Sequence, residues 1–217
     1  MASLTVLGVC DNSNRRRMDM VVESEARKIG FLNPRCAVAE IKQEKGSWWL
    51  ALNRFCIADM WKHFETDFVL VVQFDGRIFN PGAWNDGFFN YDWIGAPWPD
   101  GVCGNGGFCL RSGKLCKWIS ENLTGAWESG YARYVGRGTQ GNEDAFICRT
   151  SRRRIEAAGF KFAPKDVASR FSVERGKYEG QLGVHHIASF FGRQVNLKTA
   201  SDPEIDGLFQ TTRNFKI

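Results

Sequence analysis

The stretch FVLVVQF, residues 68–74, decides the fold. It is apolar at consecutive positions and far shorter than the roughly 20 residues of a membrane span. A strand of this kind is buried on both faces, as at the centre of a sheet covered by helices. Just upstream, Trp49, Leu52, Cys56, Met60 and Phe64 fall at helical spacing, which predicts an amphipathic helix over 48–64. Residues 36–41 read as a second strand. Before them lies a helical stretch that follows the polar residues 11–17, runs to Ile29 and ends at Gly30. Residues 4–9 (LTVLGV) form a short buried strand bounded by a polar turn. Strand, helix, strand, helix, strand is the order of a doubly wound α/β sheet.

Downstream the character changes. Residues 76–107 are rich in Gly, Pro, Trp and Asp and predict loops around short strands. A short strand is expected over 108–110 and a helix over 114–122. Residues 125–141 read as a Gly-rich basic loop, and 142–158 as a helix with Asn142 as its N-cap and two acids in its first turn. Residues 191–217 are weakly patterned, so the expected organisation is one domain over 1–190 with a tail over 191–217.

Composition bounds the function classes. With 43% hydrophobic residues, the 217-residue chain can build a core, which excludes global disorder. No run is long enough for a transmembrane segment, and the first eleven residues lack the charged start of a secretory signal. Seven cysteines, an odd number without a C-x-x-C pair, argue against a zinc cluster or a disulfide framework and for reduced thiols in a cytoplasm. A net charge of +5 admits a phosphate, nucleic-acid or anionic-membrane partner without requiring one.

Several residues stand out for chemistry. Asp75 follows the central strand, at the sheet edge where α/β proteins bind ligands. It is a hard oxygen donor for Mg²⁺ or Mn²⁺ on a diphosphate, or the first residue of a plain Asp-Gly turn. Gly104, Asn105, Gly106 and Gly107 let a backbone approach a ligand closely or simply bend into a strand. Glu143 and Asp144 satisfy a helix dipole or supply a general base. Of the adjacent His185 and His186, one at most can face a metal from a strand. Trp98, between two prolines, is placed to stack on a sugar or base. Arg133 and Arg137, ahead of the acids, are candidate phosphate contacts.

Read in order, VVQFDGRIFNPGAWNDGFFNYDWIGAPWP (71–99), GNGGFCLRS (104–112), NEDAFICR (142–149), FAPKDVASRFSVE (162–174) and LGVHH (182–186) resemble a bacterial and phage domain family grouped with the GT-A glycosyltransferases. The resemblance spans about residues 4–190. It implies a single GT-A-like, Rossmann-like α/β domain whose mixed, mainly parallel central sheet is flanked by helices. It implies transfer of a sugar from a nucleotide donor, such as a UDP-sugar, with Mn²⁺ or Mg²⁺. Asp75 matches the last acid of the Asp-x-Asp metal motif, where Gln73 replaces the first, and His185 matches the late metal ligand. Gly104 to Gly107 match the acceptor loop, and Asp144 the base of inverting members, with Glu143 beside it to orient the acceptor. Asp11, at the end of the first strand, falls where the donor base is received. The acceptor is expected to be a glycan, a lipid-linked glycan, or a hydroxymethylated base in bacteriophage DNA. A non-catalytic nucleotide-sugar or carbohydrate-binding module with a decayed metal site is the alternative that Gln73 favours.

Overall fold

The computed structural model describes residues 2–42, 47–135 and 141–186. β1 (Leu4–Cys10) is buried along its whole length and leads into α1 (Arg15–Lys28), which lays Met18, Val21 and Val22 on the sheet. β2 (Arg35–Glu40) follows, and then α2 (Trp48–Arg54), capped by the Ser47 hydroxyl. The helical path continues through a π turn (Phe55–Asp59) and a 3₁₀ turn (Met60–His63), so the stretch expected as one helix is helical but changes its winding. β3 (Phe68–Val72) is the buried central strand. It ends two residues earlier than expected. At Gln73 the chain leaves the strand and turns, with the Gln73 carbonyl accepting from Gly76 N–H and the Arg77 guanidinium.

β4 (Arg77–Ile78), β5 (Trp93–Gly95) and β6 (Phe108–Ser112) come next. The main sheet has the order β2-β1-β3-β6-β5. β2, β1 and β3 run parallel, β6 is antiparallel to β3, and β5 is antiparallel to β6. Four strands therefore point one way and β6 the other, the mixed, mainly parallel sheet expected. The chain steps from β1 out to β2 and then back past β1 to β3. Right-handed crossovers consequently put α1 and α2 on opposite faces of the sheet. Buried Asp92 ties β5 to β6, accepting from the Ser112 hydroxyl at 2.7 Å and from Lys161 N–H at 2.8 Å.

α3 (Gly113–Gly130) runs well past residue 122, through the first part of the stretch expected as a loop. Leu115, Ile119, Leu123 and Trp127 recur at helical spacing and are all buried, and the Trp127 indole donates to the Gly141 carbonyl at 2.9 Å. That anchored stripe overrides the helix-weakening effect of Gly125. The helix expected over 142–158 is broken into α4 (Glu143–Ala145), a π turn (Phe146–Thr150) and, after Ser151, α5 (Arg152–Ala157). α6 (Lys165–Phe171) leads directly into β7 (Ser172–Val173), which is parallel to β8 (Gly183–Val184). β4 completes this second, three-stranded sheet. The expected tail over 191–217 lies outside the described residues.

Candidate active site

Three strands deliver residues to one edge. Asp75 follows the carboxyl end of β3, Glu174 follows β7 and His185 follows β8. The loop of residues 104–107 arrives beside them because β6 pairs with β3 in antiparallel register, Phe108 opposite Val72. Gln73 N–H then donates to the Gly107 carbonyl.

His185 lies between two carboxylates. Its Nε2 is 3.3 Å from Asp75 Oδ1, and its Nδ1 is 3.5 Å from Glu174 Oε1 and 2.8 Å from the Asn105 amide nitrogen. Burial disfavours the charged ring, but the flanking carboxylates outweigh it and push His185 up to about 9. In turn, burial raises Asp75 and Glu174 while His185 holds both below the usual carboxylate range. The Nε2 atom is buried and has no hydrogen-bond partner, because it is near Asp75 without being aligned on it. Once its proton is displaced, a ring nitrogen left without a partner beside a carboxylate forms with it a donor pair for Mn²⁺ or Mg²⁺. Among the described residues no group of three or more His, Cys, Asp or Glu side chains converges to hold a metal. Further ligands would therefore come from a bound diphosphate and water.

The adjacent acids behave differently. Glu143 is buried and paired with Arg111, whose Nη2 lies 3.1 Å from its Oε1. Arg111, itself 1% exposed, also stacks over Trp93 at 4.0 Å and reaches the Gly106 carbonyl at 3.4 Å. The carboxylate expected to orient an acceptor is thus turned inward, under the glycine loop. Asp144 is half-buried, accepting from Gly106 N–H at 3.2 Å and from Ala145 N–H at 2.7 Å. Burial first, and then the charge of Glu143, push it up to about 7. The expected cap of this helix is also replaced: the Asn142 side chain makes no cap bond, and the buried Asn53 of α2 accepts from Glu143 N–H.

Close contact with side chains explains the glycines. A Cβ on Gly106 would stand 2.1 Å from Glu143 Oε1, and one on Gly107 2.0 Å from His185 Nε2. One on Gly104 would meet the Trp98 ring at 2.5 Å. Asn105 sits between them at φ +48°. The loop is therefore a spine against which acid, histidine and tryptophan are all packed. Arg149 covers Trp98 at 4.4 Å and is itself paired with Asp100 at 2.8 Å.

Other expected residues lie farther out. Asp11 caps the turn after β1, taking bonds from Ser13 and Asn14, and the Ser13 hydroxyl is the main reason its carboxyl lies below the usual range. Arg133 is exposed in the 3₁₀ turn beyond α3 and stacks on Tyr134 at 4.9 Å. Arg137 lies outside the described residues. Cavities of about 340 and 510 Å³ are lined by none of Asp75, Asp144 or His185.

Sequence reasoning missed Glu174, Arg111, Asn53 and Arg77. Three of these lay in motifs already quoted, Arg77 in VVQFDGRIFNPGAWNDGFFNYDWIGAPWP, Arg111 in GNGGFCLRS and Glu174 at the end of FAPKDVASRFSVE. Arg77 braces the Asp75 turn by donating to the Gln73 and Gly76 carbonyls, and its Nε lies 3.7 Å from the buried Glu25 of α1.

The fold is an α/β architecture like that of a glycosyltransferase. The chain matches the crystal structure of a glycosyltransferase involved in the glycosylation of the major capsid of PBCV-1, with a TM-score of 0.53 and 15% identity, over 96% of this chain and 99% of that one. The chain belongs to the family described as Protein of unknown function (DUF5672), whose model matches residues 41–185. No curated protein matches. No helix among the described residues is long and apolar enough to cross a membrane.

Proposed function

We propose that this chain is a glycosyltransferase of the GT-A type that moves a sugar from a nucleotide donor, such as a UDP-sugar, to an acceptor hydroxyl with inversion. The observation that carries this reading is the loop of residues 104–107. It touches Asp144 through the Gly106 N–H and His185 through the Asn105 amide, so a carboxyl poised near neutrality and an Asp-His donor pair share one spine.

The chemistry follows from those groups. An inverting transfer needs a base that takes the acceptor hydroxyl's proton while its oxygen bonds to the anomeric carbon and the bond to the diphosphate breaks. Asp144 suits that role. Near pH 7 both of its protonation states are populated, and each carboxyl oxygen accepts only one backbone bond. Glu143 assists indirectly, its buried charge raising Asp144 while Arg111 fixes its position. Asp75 and His185 would hold a divalent cation, which when bound offsets charge on the leaving diphosphate. Asp11, in the turn after β1, and Gln73, after β3, would contact the donor.

A glycan acceptor is favoured over DNA. Arg149 is neutralised by Asp100 and Arg152 by Glu156, and the Trp98 ring is covered by Arg149, which leaves it poorly placed to stack on a flipped base. The structural neighbour's involvement in capsid glycosylation points the same way. Two protein donors and Gln73 also favour a second reading, a module that binds nucleotide sugars without turning them over.

A thermal-shift screen of nucleotide sugars with and without Mn²⁺ tests the proposal. A ligand that binds only the folded state raises the melting temperature by mass action. The expected result is a Mn²⁺-dependent rise with one class of donor, lost in Asp75→Asn. If no donor shifts the protein with or without Mn²⁺, the proposal fails.

A further inference from the structure

Glu174 enters neither the metal pair nor the proton transfer, yet it lies half-buried against the other ring nitrogen of His185, 3.5 Å from Nδ1. A histidine binds a cation through one ring nitrogen only when the other carries the proton. An acceptor on that second nitrogen therefore decides whether the ring can bind at all.

Two neighbours compete for Nδ1 of His185. The Asn105 amide nitrogen, at 2.8 Å, is a donor and calls for a bare Nδ1, which puts the proton on Nε2 and blocks it toward a cation. The Glu174 carboxylate, at 3.5 Å, can only accept and calls for Nδ1–H, which leaves the Nε2 lone pair facing Asp75. In neither arrangement does Nε2 gain a hydrogen bond from the protein, and only the second leaves it a free lone pair for a cation. β7 and β8 are parallel neighbours, Ser172 opposite Gly183 and Val173 opposite Val184, so Glu174 and His185 leave the same sheet edge side by side. Gly107 fixes the ring from the other side, since any side chain there would displace Nε2.

We infer that Glu174 is a positioning residue that holds the Nδ1 proton of His185 and so presents Nε2, together with Asp75, to a divalent cation. This rests on the metal-assisted reading above.

The test is Mn²⁺ affinity of the full chain, read from the free-Mn²⁺ electron paramagnetic resonance signal, for wild type, Glu174→Gln, Glu174→Ala and Asp75→Asn. Melting temperature without metal serves as the check on folding. Loss of a residue that orients a histidine ligand weakens metal binding by about 10–100-fold. We expect Glu174→Ala to lose at least about tenfold and Glu174→Gln, which keeps a weaker neutral acceptor, to fall between it and wild type. Both should melt within a few degrees of wild type, a pattern that a merely structural role would reverse. If Glu174→Ala and Glu174→Gln bind Mn²⁺ as tightly as wild type while Asp75→Asn does not, the role of Glu174 is overturned and the metal pair stands. Should Glu174→Ala fail to fold, Glu174→Gln decides alone, and unchanged affinity overturns the inference. If wild type itself binds no Mn²⁺, with or without UDP, both the metal-assisted reading and the role of Glu174 fall.

Discussion

The two halves of this chain are held together by different physics. From β1 to β3 the structure is a layered sheet in which β1 and β3 are buried along their whole length and whose helices cover both faces. Stability there comes from area removed from water, and any well-shaped apolar side chain serves. From Gln73 onward, apart from β6 and the long α3, regular elements are short and the chain around them is fixed by point contacts: Arg77 on the Asp75 turn, Arg111 on Glu143, glycines against His185 and Glu143. The first half tolerates change in degree. The second is organised around a few contacts that are present or absent, which is what a site with preset geometry needs.

Substitutions can break that contrast. The largest stability loss is expected from Arg111→Met, which strands Glu143 as a buried charge. Removing one partner of such a pair costs about 3–5 kcal/mol, measurable by urea unfolding. The double variant Arg111→Met with Glu143→Leu should recover much of that loss, since no lone charge remains. In the layered half, Leu70→Ala removes a fully buried side chain from β3 and should cost about 2–5 kcal/mol. Donor binding by the variant molecules that remain folded should be unchanged. Gly107→Ala is predicted to cost less stability, about 1–3 kcal/mol, but to abolish the Mn²⁺-dependent thermal shift, because its methyl takes the place of His185 Nε2. The smallest effect is expected from Gly125→Ala within α3, where a Cβ meets nothing within 4 Å. It should stabilise the protein by about 0.5–1 kcal/mol with no change at the site.

The same contrast governs what could be read in advance. Periodicity revealed β1, α1 and β3, since each carries its own pattern of burial over five or more residues. It missed the second sheet because β4, β7 and β8 are two residues each, too short for any period, and pair across large separations. It ended α3 too early because Gly125 and Gly130 look like breakers. The Trp127 bond to Gly141 that keeps the helix going is a tertiary contact. The candidate site was legible as residue types in order, through Asp75, the glycine loop, Glu143, Asp144 and His185. Their division of labour was not. Nothing local distinguishes Glu143 from Asp144. Arg111 makes the difference, and it sits 32 residues away from its partner. Asn53 capping Glu143 from 90 residues away is hidden for the same reason.

The central claim is that Asp144 is the base of a sugar transfer. The direct measurement is release of nucleoside diphosphate from the donor found by thermal shift, with Mn²⁺, for wild type and Asp144→Asn between pH 5.5 and 8.5. General-base catalysis contributes about 10²–10⁴-fold, so the variant should lose at least a hundredfold, and wild-type turnover should rise as pH passes through about 7. Stability should move the other way. A carboxyl whose folded value is raised contributes stability below its unfolded value and loses it as pH rises through about 7, so Asp144→Asn should melt no lower than wild type at pH 8. A folded Asp144→Asn variant that turns over the donor at the wild-type rate, with the same pH profile, would contradict the account.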